Sequence, residues 1–188
     1  MLLLLLAAEG VTILRLGRLI TAHFFIGMLL LGPVALKSGS TIYRFTRYYA
    51  GGVAYRRKGP PAPLLRLLGP VIIASTAGVF GTGIALAVTG PAGRQTWLFL
   101  HKGSFIVWVC VMTVHVLAYL PRLGKLLAAE ARESRQAGAH ASFTARTAAV
   151  VGGRGIRLSL LAASLLGGLV VAMLTVHLAG PWSLHRLH

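Results

Sequence analysis

Residues Trp97–Leu120, WLFLHKGSFIVWVCVMTVHVLAYL, decide how this chain is to be read. Lys102 is the one permanently charged residue in the stretch. A helix of this length rises about 36 Å at about 1.5 Å per residue, enough to cross a hydrocarbon core of about 30 Å. Three further stretches read the same way: Leu19–Leu36, Leu67–Val88 and Ile156–Leu178. Pro91 is expected to close the second span and Pro121 the third, since proline cannot donate to the helix behind it. Met1–Leu16 opens with five consecutive leucines after Met1 but is short and carries Glu9 near its middle. It is read as a truncated spanning helix, with an uncleaved anchor or an interfacial segment as the alternatives, and it lacks the basic start and the Ala-x-Ala-like end of a cleaved signal peptide. The expectation is an all-α, integral membrane helical bundle over residues 1–188, with four spanning helices and a short N-terminal fifth.

Composition narrows the function. The 188 residues hold 19 Lys+Arg against 3 Asp+Glu, a net charge of +16, yet 56% are hydrophobic and the mean hydropathy is +0.76. A soluble enzyme or nucleic-acid-binding domain cannot present several uncharged apolar stretches to water. Paired-carboxylate catalysis has only Glu9, Glu130 and Glu133 to draw on, and in sequence none of them neighbours another candidate catalytic group. Cys110 is the only cysteine, so there is no internal disulfide, no cysteine-rich zinc site and no covalent haem attachment of the CxxCH kind. Phosphate-binding glycine loops and Ser-centred elbows are missing as well.

The basic residues are grouped. Seven lie between the first and second spans (Lys37, Arg44, Arg47, Arg56, Arg57, Lys58, Arg66) and seven between the third and fourth (Arg122, Lys125, Arg132, Arg135, Arg146, Arg154, Arg157). Both loops are expected to face the cytoplasm under the positive-inside rule, with the 89–96 connection and the C-terminus outside. Arg15 and Arg18 fall on the outer side in that scheme. Tyr43, Phe45, Tyr48, Tyr49 and Tyr55 beside arginines suit the headgroup level. Leu123, Leu126 and Leu127 suit a short helix at the membrane surface.

Ionisable residues inside spans are costly and mark function. Here they are His23, His101, Lys102, His115 and His177. His101 and His115 are 14 residues apart, which turns a helix about 1400° and rises about 21 Å, so they share a face with one imidazole near each membrane surface. His23 and His101 each lie four residues past the start of their spans, on helices running in the same direction, and so stand at equal depth. The same 14-residue step from His23 lands on Lys37, not on a histidine. His177, near the outer end of the last span, is a third imidazole at the His23 level, and also reads as an ordinary interfacial side chain. His140, His185 and His188 read as loop or tail residues. Gly78, Gly81 and Gly83 on the second span, Gly27 one turn past His23, and Gly167 and Gly168 on the last span admit either close helix packing or, for the first four, a flat macrocycle.

This layout resembles the membrane cytochrome b superfamily, the bacterial four-helix haem-b bundles that include oxidoreductase-anchor subunits. The residues carrying the likeness are His101 and His115 in LHKGSFIVWVCVMTVHVLAYL and His23 in HFFIGMLLLGPVALK, with GSTIYRFTRYY, the GPP turn and GPVIIASTAGVFGTG resembling small actinobacterial proteins of that kind. The likeness covers about residues 10 to 120. It implies haem b ligated on the outer side by His23 and His101, with His115 as ligand to a second, inner haem, where Lys37 departs from the pattern. It further implies a bacterial inner-membrane protein that passes electrons to or from a quinone or a separate redox subunit, such as a molybdenum-cofactor oxidoreductase, with no stand-alone catalytic domain. The other reading of the same residues is a cofactor-free membrane assembly or transport subunit whose histidines are structural or move protons.

Overall fold

The computed structural model describes residues 1–51, 63–137 and 144–184, and among these every regular element is helical. In chain order they are α1 (Leu2–Leu14), α2 (Leu16–Tyr49), α3 (Pro63–Thr89), a 3-10 turn (Pro91–Gly93), α4 (Arg94–Ala137), α5 (Thr144–Thr175), a second 3-10 turn (Val176–Ala179) and α6 (Gly180–Leu184). Four segments, Leu16–Tyr49, Arg66–Thr89, Pro91–Leu120 and Gly155–Trp182, are long and apolar enough to cross a membrane. The fold is the all-α bundle expected for a multi-pass membrane protein.

The helices outrun the spans in three places, one of them α5, which begins at Thr144 within the expected loop rather than at Ile156. The stretch from Lys37 onward, expected as loop, continues α2 to Tyr49, because nothing between those residues breaks a helix once Gly39 has been passed. Pro121 does not close its helix. α4 runs through it to Ala137, since LGKLLAAEARESRQA is built from strong helix formers and one lost backbone hydrogen bond does not end such a run. The expected surface helix around Leu123, Leu126 and Leu127 is therefore a continuation of α4. Pro91 behaves as expected. α3 stops at Thr89, and Gly90 takes a left-handed backbone (φ 67°) that glycine adopts without strain.

α1 has 13 residues and so rises about 20 Å, short of the about 30 Å hydrocarbon thickness. Non-helical backbone at Arg15 (φ −128°, ψ 37°) and Leu19 (φ −113°, ψ 22°) reverses the chain, and α1 lies antiparallel along the first part of α2.

The spans pair antiparallel, α2 with α5 and α3 with α4. In the first pair the backbones meet. Pro33 has no N–H for the Leu29 carbonyl, and that carbonyl stands against Gly168, where any Cβ would overlap it; Gly32 is similarly pressed against the Ser164 carbonyl. A proline-freed carbonyl is tolerated in lipid when a neighbouring helix covers it, and a glycine lets that helix come close. Gly168 is thus a packing glycine, while Gly167, with nothing within 4 Å, faces open space. The second pair is joined by polar contacts. Thr82 Oγ1 lies 3.1 Å from Ser104 Oγ, and Trp108 Nε1 donates to Thr76 Oγ1 at 3.0 Å.

The two pairs meet at the end that carries the α1–α2 and α3–α4 turns, where Met28, Ala87 and Ala172 form a small buried cluster flanked by Phe24, Phe25, Leu29 and Leu31. At the opposite end Arg66 sits over the rings of Tyr48 (5.9 Å) and Tyr49 (5.3 Å), a cation–π contact that ties the ends of α2 and α3.

Gly32→Ala should destabilise the detergent-solubilised protein by about 1–3 kcal/mol through overpacking against the Ser164 backbone. Gly167→Ala should cost nothing. Thermal unfolding of both variants checks this, and equal midpoints would contradict the packing described.

Candidate functional site

At the turn end, α2 and α4 bring their histidines together. The His23 and His101 ring centres are 6.5 Å apart and the planes cross at 67°. No hydrogen bond joins the two rings. At this level it is the two side chains, rather than extended backbone packing, that span the distance between α2 and α4.

Each ring is held by its Nδ1 atom. His23 Nδ1 is 2.9 Å from Glu9 Oε1 and 3.1 Å from Thr12 Oγ1, both brought by the fold-back of α1. Thr12 is 4% exposed, and its hydroxyl donates to the Glu9 backbone carbonyl at 2.6 Å, so its oxygen is free to accept. An ionised carboxylate can only accept, so Nδ1 of His23 carries the hydrogen, and in the neutral form of the ring the lone pair is on Nε2. On α4 a hydroxyl takes the place of the carboxylate, and it can accept from Nδ1 while its own hydrogen is used elsewhere. His101 Nδ1 is 3.2 Å from Thr82 Oγ1, whose own hydroxyl donates to the Gly78 carbonyl at 2.7 Å, and the Val79 carbonyl also faces the ring. Both rings thus present Nε2 as a base, and neither Nε2 has a hydrogen bond among the described residues.

Glycines make the room. A Cβ at Gly83 would stand 3.1 Å from His101 Cε1, so a side chain there would push the ring. A Cβ at Gly27 would stand 3.3 Å from Glu9 Oε1, so this glycine admits the carboxylate. Gly78 faces Ser104 at 3.9 Å, and Gly81 has nothing within 4 Å.

The remaining sequence candidates lie apart. His115 is half-buried with its Nδ1 buried and without a hydrogen bond, and its ring packs on Tyr119 at 4.8 Å. No second imidazole is in ring contact with it among the described residues, and Lys37 is exposed. His177 is exposed on the second 3-10 turn and has neither hydrogen bond nor ring contact among the described residues. His140, His185 and His188 lie outside the described residues.

Glu9 is the correction. Sequence reasoning placed none of the three acids near another candidate group, yet this carboxylate is hydrogen-bonded to a histidine. The signal available was a glutamate inside an apolar run, followed three residues on by Thr12; the backbone then breaks at Arg15 and Leu19. A helix folding back there places residues 9 and 12 beside residue 23.

The ring separation agrees with that of two imidazoles on opposite sides of one metal ion. A metal–imidazole bond of about 2.0 Å plus about 1.15 Å from nitrogen to ring centre gives about 6.3 Å between the centres of two rings on opposite sides of one metal. The observed separation is 6.5 Å. Hydrogen bonds at Nδ1 of this kind fix the tautomer and orientation of a histidine whose other nitrogen ligates a metal.

Comparison with protein-family models, curated proteins and solved structures returns no match to this chain.

Proposed function

We propose that this protein is a membrane electron carrier that holds haem b between His23 and His101, serving as the cytochrome b-type subunit of a membrane oxidoreductase. The observation carrying this reading is the 6.5 Å ring separation with both Nδ1 atoms anchored and both Nε2 atoms without a hydrogen bond. Bound haem b supplies one-electron exchange between ferric and ferrous iron. The chain supplies the rest. Two Nε2 lone pairs bind, Glu9, Thr12 and Thr82 hold the rings in the ligating tautomer, and the apolar spans keep water from the site.

One haem follows from one pair. His115 is the candidate ligand for a second haem, and its environment offers no matching imidazole in place of Lys37. A cofactor-free proton relay through Glu9, His23 and His101 would need a water between the two rings, which no direct hydrogen bond joins. The chain carries no recognisable catalytic motif, so electrons would pass to a quinone or a separate redox subunit rather than to a substrate of its own. The grouped basic residues favour a bacterial inner membrane with the 37–65 and 121–155 segments in the cytoplasm and the haem site toward the outer face.

Haem per polypeptide tests the ligands. His23→Ala and His101→Ala should each abolish haem binding, and the double variant should add nothing because the site is already empty. His115→Ala should keep the haem bound between His23 and His101. Unchanged haem in both single variants would refute the pairing, and loss in only one would redirect the second ligand to His177.

Topology is tested by single cysteines in a Cys110→Ala background, labelled from outside with an impermeant reagent. Positions near Pro91 and Trp182 should label, and positions near Lys58 and Arg135 should not. The reverse pattern would place the histidine pair at the cytoplasmic face.

A further inference from the structure

α1 does not span, and its leucine-rich outer surface asks only for lipid. Its polar content is another matter. Glu9 is the one acid in the membrane-embedded part of the described chain, and an uncompensated carboxylate there is expensive. Three independent features accommodate it. The non-helical backbone at Arg15 and Leu19 folds α1 onto α2, Gly27 leaves space beside Oε1, and Thr12 lies between Glu9 and the His23 ring with hydrogen bonds to both. The result is a carboxylate oxygen 2.9 Å from His23 Nδ1, with side-chain exposures of 15% for Glu9 and 22% for His23. His101, by contrast, meets neutral acceptors among the described residues, the Thr82 hydroxyl and the Val79 carbonyl. The two rings match in geometry and differ in the charge behind them.

We propose that Glu9 is a positioning residue that lowers the reduction potential of the site by giving His23 anionic character through its Nδ1–H. The inference rests on the haem reading above. A carboxylate accepting this hydrogen draws the proton toward itself and raises the electron density at Nε2. An electron-rich ligand stabilises the more positive ferric iron over the ferrous, so Glu9 holds the potential down. No bond or proton has to move. One electron from a reductant such as dithionite converts Fe(III) to Fe(II) with the hydrogen bond in place.

The test is a spectroelectrochemical titration of the purified full-length protein and of Glu9→Gln. Glutamine keeps the size of the side chain and a carbonyl acceptor but removes the charge. The expected result is an unchanged haem content and a ferric-to-ferrous equilibrium shifted about tenfold toward ferrous, a rise of about 59 mV for one electron. Glu9→Asp, which restores the charge, should return the midpoint toward the wild-type value. Loss of haem in Glu9→Gln alone would show that the carboxylate secures binding rather than setting the potential, and would overturn the proposal. An unchanged midpoint in Glu9→Gln, or loss of haem in both variants, overturns the proposal while leaving the His23–His101 site standing. A wild-type protein that binds no haem overturns the site itself, and this inference with it.

Discussion

An imidazole has two nitrogens, and in a membrane each must be accounted for. Where a carboxylate or a committed hydroxyl takes the Nδ1 hydrogen, the lone pair is left at Nε2, pointing away from the anchor. At the turn end of this bundle that constraint is met twice, from two directions, by Glu9 with Thr12 and by Thr82. The rest of the architecture makes it possible. The α1 fold-back brings one anchor, the antiparallel α3–α4 pair brings the other, and close contact of α2 with α5 through Gly32 and Gly168 sets where α2 stands. Were either ring anchored through Nε2 instead, its lone pair would sit on Nδ1, next to the attachment to its own helix rather than at the far end of the ring.

Packing in this chain is economical in a way that suits lipid. Its buried hydrophobic residues among those described are few, and the contacts that define the helix pairs are backbone approaches at glycine and hydrogen bonds between short polar side chains. Apolar side chains such as Phe99, Ile106, Val170 and Leu174 face outward at 57–76% exposure. That is the pattern expected where lipid tails are as apolar as leucine and hydrophobic burial between helices gains little. The Leu29 carbonyl shows how local chemistry sets the packing. Pro33 removes its partner within α2, and α5 answers with a glycine.

Much of this was legible in the sequence because length and apolarity report spans directly. The four membrane-crossing helices and the turn at Gly90 and Pro91 follow from them. Helix ends did not follow, because Pro121 and the basic Lys37 onward mark where apolarity stops rather than where the helix does. The proximity of His23 and His101 was readable from equal depth on parallel helices. The anchors were not. Thr82 has the look of a packing residue, and Glu9 reaches His23 only because the backbone turns at Arg15 and Leu19, a reversal that neither proline nor a run of glycines announces. His115 shows the limit of spacing arguments. The helical arithmetic puts it on one face with His101, yet its one ring contact among the described residues is Tyr119, and a ligand site needs a second imidazole.

The central claim is that two anchored imidazoles hold one haem. The visible spectrum of the full-length protein, purified in detergent from cells supplied with haem precursor, tests it most directly. The account predicts a coloured preparation with the bands of six-coordinate, low-spin haem b, sharpening and shifting on addition of dithionite. A folded, colourless protein from such cells would contradict it.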